Sequence, residues 1–122
     1  MTAKAPSERL RALCLALPEA SESVMKRGPT FRVAGKIFAW DRPWNGGPAA
    51  WLKVPKGTQG VLVGADPQRF FIPPFVGTKG WIGMVLTRRP DWAEVEALVR
   101  RSYRLVAPKK LAERVPADSG MM

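Results

Sequence analysis

The alternation of apolar and polar positions divides the chain into helical and extended stretches. From Ser7 onward, Leu10, Leu13, Cys14 and Leu17 recur at the spacing of one helix face while Arg9 and Arg11 fall off it, and Pro18 ends the run. This predicts a short amphipathic helix with Ser7 as its N-cap. Glu19 to Ser23 reads as a polar connection, and Gly28-Pro29 as a break before the first extended segment. Thr30 to Val33 and Lys36 to Trp40 flank Ala34-Gly35, the pattern of a tight hairpin in which Arg32 opposes Ile37 and Phe31 opposes Phe38. Pro43-Trp44-Asn45-Gly46-Gly47-Pro48 is dense in turn formers and predicts a surface loop. Ala49 to Val54 then makes a third strand, with Leu52 and Val54 on one face and Trp51 and Lys53 on the other.

In the second half, Thr58 caps a short helix through Gly64 or Ala65 with Val61, Leu62 and Ala65 as its apolar side, although interior glycines cost up to ~1 kcal/mol each. Arg69 to Ile72 predicts a short edge strand stopped by Pro73-Pro74. Trp81 to Leu86 is apolar on both parities between Gly80 and Arg88-Arg89-Pro90, which predicts a central strand buried on both faces. Asp91 and Glu94 have capping-box spacing, and Trp92, Val95, Leu98, Val99, Ser102, Leu105 and Val106 trace a helical stripe beyond them. Pro108 ends that helix, and Lys109 to Val115 adds one more turn. The order is α-β(3)-α-β(2)-α. Hairpin links favour an antiparallel sheet, so the expectation is an α+β, two-layer sandwich with the helices on one sheet face, a single domain over residues 1–122 with flexible tails at 1–6 and 116–122.

Charge changes this picture most. Of 122 residues, 20 are Lys or Arg and 10 are Asp or Glu, a net charge of +10 that attracts polyanions over a Debye length or more. No run approaches the ~18 apolar residues of a membrane span and Met1 to Pro18 lacks a signal-peptide pattern, so a cytoplasmic protein with no membrane partner is expected. The chain has no histidine, which excludes His-based triads and His metal sites. Its single cysteine, Cys14, lies on the apolar stripe of the first helix and reads as a buried structural thiol.

Three runs resemble the MmcQ/YjbR family: residues 29–39 (PTFRVAGKIFA), 75–83 (FVGTKGWIG) and 102–109 (SYRLVAPK), in order and at similar spacing. The similarity extends from about Leu10 to Val115. It implies a two-layer fold with the element order above, akin in architecture to type III secretion chaperones and described as frataxin-like, and a DNA-binding role through a "double wing". It carries over no catalytic residue.

Elsewhere the chemistry is sparse. Asp41, Asp66, Glu19 and Glu22 are not paired by spacing, and no oxygen-ligand cluster recurs at metal-loop spacing, so no catalytic residue, metal or other cofactor is expected and the chain reads as non-enzymatic. Gly77-Thr78-Lys79-Gly80 has the form of a phosphate-approaching loop, but its place ahead of a strand favours a tight turn. The basic residues are distributed. Lys26, Arg27, Arg32, Lys36, Lys79, Arg88 and Arg89 are the candidate phosphate contacts, with Trp40, Trp44 or Trp51 nearby for stacking. Phe31, Phe38, Trp81, Trp92 and Tyr103 occupy periodic positions and read as core. The expected partner is nucleic acid, DNA foremost. The alternative is an interaction module, monomer or homodimer, that holds an acidic protein by its sheet face or the Trp44 loop.

Overall fold

The computed structural model describes residues 5–25, 28–87 and 89–115. Among them, the chain runs α1 (Pro6–Leu15), β1 (Ser21–Met25), β2 (Gly28–Val33), β3 (Lys36–Asp41), β4 (Ala49–Lys53), α2 (Thr58–Ala65), β5 (Phe70–Phe71), β6 (Trp81–Val85), α3 (Trp92–Val106) and α4 (Lys109–Ala112). The strands form one sheet in the order β1-β2-β3-β4-β6-β5, antiparallel throughout. The α+β class and the antiparallel sheet are those expected from the sequence. The tail expected at 116–122 lies outside the described residues.

Three details differ. The stretch read as a polar connection, Glu19 to Ser23, runs into β1, which pairs along its whole length with β2. An edge strand bonds on one side only and needs no apolar run, and polar side chains there discourage pairing with other molecules. Its Glu22 is held by Arg11 of α1 at 2.7 Å. The run Trp81–Val85 lies second from the opposite edge rather than at the centre, flanked by β4 and the two-residue β5. The β2–β3 hairpin keeps the Arg32–Ile37 pair, but Phe31 faces Ala39, so Phe38 is an extra residue on β3. Such a bulge lets neighbouring residues on one strand turn to the same side. Phe38 and Ala39 are accordingly both fully buried in the core.

That core fills the space between the helices and one sheet face, where Phe31, Leu52, Ile82, Met84 and Phe70 meet Leu10 and Cys14 of α1 and Val95, Leu98 and Val99 of α3. The longest helix begins where Asp91 caps it, its Oδ1 accepting from the Ala93 and Glu94 amides at 3.0 and 3.3 Å. Its buried edge follows Ser102 and Tyr103, whereas Leu105 is 45% exposed. The Tyr103 hydroxyl donates to the Pro18 carbonyl at 2.7 Å and its ring meets Phe38 edge-on, tying the α1–β1 connection to the sheet. At the other end of the chain, α1 starts with Pro6 rather than after Ser7, and Glu8 accepts from the Ala5 amide at 3.1 Å. Ser7 falls inside the first turn instead of capping it, and its side chain favours the ionised Asp41 carboxyl.

One glycine is fixed by this packing. Gly28 opens β2 at φ 128°, and a Cβ there would run into the Asp41 carbonyl.

Candidate functional site

The register determines which side chains share the sheet face away from the helical core. Ser23 pairs with Thr30, Thr30 with Trp40, Trp40 with Trp51, Trp51 with Gly83 and Gly83 with Phe71, so these residues form one row across the entire sheet. Two residues along the strands, Ser21 pairs with Arg32, Arg32 with Ile37, and Lys53 with Trp81. Side chains alternate between faces, so Arg32, Trp40, Trp51, Lys53, Trp81 and Phe71 all belong to this second face. The strand carboxylates, Glu22 and Asp41, pair with Phe31 and Ala50 and belong to the core side. The described strands therefore give the second face arginine, lysine and aromatic rings, and no acid.

The rings on this face form their own cluster. Trp51 is 1% exposed yet stands apart from the main core, packed edge-on against Trp40, Trp44 and Phe71 at centroid distances of 5.6, 6.4 and 6.1 Å. Trp44 arrives from the β3–β4 loop, where it closes a tight turn by paired backbone hydrogen bonds with Gly47, and stacks on Phe71 at 4.3 Å and 9°. The Arg42 guanidinium lies 4.8 Å from the Trp40 ring centroid and 4.4 Å from that of Trp51, within cation–π range of both. Room for this arrangement comes from Gly83, since a Cβ at that position would overlap the Phe71 ring. Trp40, Trp44 and Phe71 are half-buried, so the cluster keeps aromatic surface open to solvent. The indole N–H groups of Trp40 and Trp51 are buried with no hydrogen-bond partner among the described residues. Trp44 and Phe71 also wall a cleft of about 570 Å³ that continues past Asn45 and Arg69 to Thr87.

The candidate phosphate contacts divide between the two ends of the sheet. Arg32 and Lys36 flank the β2–β3 turn, and antiparallel pairing brings that end of the hairpin to the end of β4 that carries Lys53 and the start of β6, preceded by Lys79. Lys36 and Lys79 are exposed. Arg32 bends back to donate to the Gly35 carbonyl at 3.2 Å. Arg89 is exposed but lies beyond the opposite end of β6, in the loop leading to α3. Lys26, Arg27 and Arg88 lie outside the described residues. Sequence reasoning had not singled out Arg42, Phe71 or Gly83. The available signal was the shared parity of Trp51 and Lys53, but only the β4–β6–β5 register carries that face on to Gly83 and Phe71. Of the aromatics expected in the core, Phe31, Phe38 and Tyr103 are fully buried, whereas Trp81 is half-buried on the second face beside Lys53, and Trp92 lies half-buried under the Arg9 guanidinium at 4.5 Å.

Other candidates resolve into structure. Cys14 is fully buried, and desolvation, with Asp41 and Glu22 as lesser contributions, pushes its thiol far above the usual range, so it is held as an inert thiol. Burial likewise raises the Asp41 carboxyl, with the Ser7 hydrogen bond opposing and Glu22 adding to the rise. Gly77–Lys79 forms a 3₁₀ turn closed by Gly80 at φ 89°, which delivers the chain into β6.

A family model named YjbR matches residues 15–105. The chain belongs to the YjbR family. The matched span of this YjbR chain holds every described strand and thus the whole basic and aromatic face. The crystal structure of Deinococcus radiodurans protein DR2400, which carries a DUF419 domain, has a TM-score of 0.76 to this chain over 98% of this chain and 99% of that one. At 21% identity, that likeness establishes a shared fold. No curated protein matches the chain significantly.

Proposed function

We propose that this YjbR protein is a non-enzymatic nucleic-acid-binding protein that contacts phosphates with Lys and Arg at the hairpin end of its second sheet face. The observation that carries this reading is the sorting of charge by the strands: Arg32 and Lys53 share a face with four aromatic rings, while Glu22 and Asp41 fall on the other. Lys36 and Lys79 extend the same end of the sheet, and the net charge of +10 supplies the long-range attraction. A polyanion held this way releases counterions, so affinity depends steeply on salt.

The test is fluorescence anisotropy of labelled duplex DNA, single-stranded DNA and RNA across a salt series. Binding should weaken steeply as salt rises. Changing Arg32 and Lys36 together to Ala should weaken it further and reduce the slope of log K against log salt by about 1 for each phosphate that is no longer neutralised. Absence of binding to all three polymers at low salt would refute the reading, and unchanged affinity in the double variant would remove the hairpin from it.

A further inference from the structure

We infer that the polymer this face takes is single-stranded, with its bases stacked on the Trp44 and Phe71 rings and its phosphates along Arg32, Lys53 and Lys79. The inference rests on the nucleic-acid reading above and narrows it. The basic positions and the aromatic row lie two residues apart along the strands, about 7 Å, a separation that a single chain spans between its backbone and its bases. Both rows run across a sheet surface rather than along a projecting helix or ribbon, and the Trp44 ring is folded back onto it from the β3–β4 loop by its stacking on Phe71.

This geometry discriminates between polymers. In a duplex the base faces are already stacked on one another and only their edges reach the grooves, so an aromatic sheet surface gains little from it. An unpaired strand presents base faces, and each one stacked on an aromatic ring contributes to affinity whatever its sequence. Trp44 already shows the required arrangement. It lies nearly parallel to Phe71 at 4.3 Å and is half-buried, not enclosed. Charge complementarity selects a polyanion over a neutral occupant, because no carboxylate of the described strands shares the face.

The experiment compares a labelled oligothymidylate, an oligouridylate and a duplex of equal length at one low salt concentration, with wild type, Trp44→Ala and Trp44→Phe; a salt series on the single strands gives the slope. Single strands should bind at least about tenfold tighter than duplex and quench tryptophan fluorescence. Trp44→Ala should weaken single-strand binding about tenfold with its salt slope unchanged, and Trp44→Phe, which keeps a ring to stack on Phe71, should retain most of the affinity. Equal affinity for duplex and single strand, or a Trp44→Ala protein that keeps full single-strand affinity, overturns the inference while leaving phosphate binding intact. Failure of all the polymers to bind overturns both. The oligothymidylate and oligouridylate arms separate DNA from RNA.

Discussion

Removing one hydroxyl from α3 should destabilise this protein more than removing any surface charge. Ser102 is fully buried, and its Oγ accepts from the Lys53 amide at 2.9 Å while donating to the Phe38 carbonyl. The β3–β4 pairing runs from Asp41–Ala50 to Ala39–Leu52, and the next rung would join Phe38 to Lys53. The serine hydroxyl occupies that rung. Ser102→Ala leaves a buried carbonyl and a partly buried amide without partners, and each such group costs about 1–3 kcal/mol. Because the Lys53 amide is nearer to solvent, the expected loss is about 2–4 kcal/mol, a large fraction of the stability of a domain this size.

Denaturant unfolding followed by tryptophan fluorescence measures this directly, with the midpoint falling at unchanged m. In thermal unfolding, the same loss corresponds to a Tm lower by roughly 8–16 °C. Arg101→Ala, at the exposed neighbouring position, should stay within about 0.5 kcal/mol of wild type. Hydrogen exchange adds a local readout, since the Lys53 amide should lose protection before its neighbours do. If Ser102→Ala is no less stable than Arg101→Ala, the strands close directly on one another and the bridging role assigned to the hydroxyl is wrong.

Gly83→Ala would ordinarily stabilise a strand by reducing unfolded-state freedom, but here the added methyl meets the Phe71 ring, so a loss of about 1–3 kcal/mol and a changed near-UV circular dichroism spectrum are expected. A stabilised variant with an unaltered spectrum would show that Phe71 does not rest on Gly83. For Asp41, burial raises the carboxyl above its ordinary value near 4, so the folded state binds the proton more tightly than the unfolded state and this group's contribution to stability falls as pH rises from about 4 through the raised value. Unfolding midpoints measured between pH 4 and 7 should therefore drop less with rising pH in Asp41→Asn than in wild type, and parallel profiles would contradict the assigned burial effect.

Where the sequence was legible, local chemistry and tertiary packing agreed. The α3 stripe, its Asp91 cap, the hairpin at Ala34-Gly35 and the burial of Cys14 are all read from short stretches whose periodicity and turn residues point one way. Legibility failed where the deciding interaction came from far along the chain. β1 has no apolar pattern because its partner is a single neighbouring strand, and Phe38, bulged out of its expected register, meets Tyr103 of α3 in the core. Ser102 was visible as part of the stripe, but its role as the missing rung of a distant strand pair was not.

The same distinction bears on the candidate site. Trp51 and Lys53 could be placed on one face from their spacing, yet spacing alone does not say whether that face meets helices or solvent. The sheet order answers this by putting the carboxylates of the described strands on the core side and extending the Trp51 row through Gly83 to Phe71. A basic residue scattered in sequence is a solubility device until a register gathers it. Here the register gathers Arg32 and Lys53 beside rings that the core does not use. Selective loss of single-strand affinity in the Trp44 variants and loss of salt slope in the Arg32 and Lys36 variants would then be separable effects of the ring cluster and of the basic hairpin end of the sheet, because stacking and counterion release respond to different perturbations.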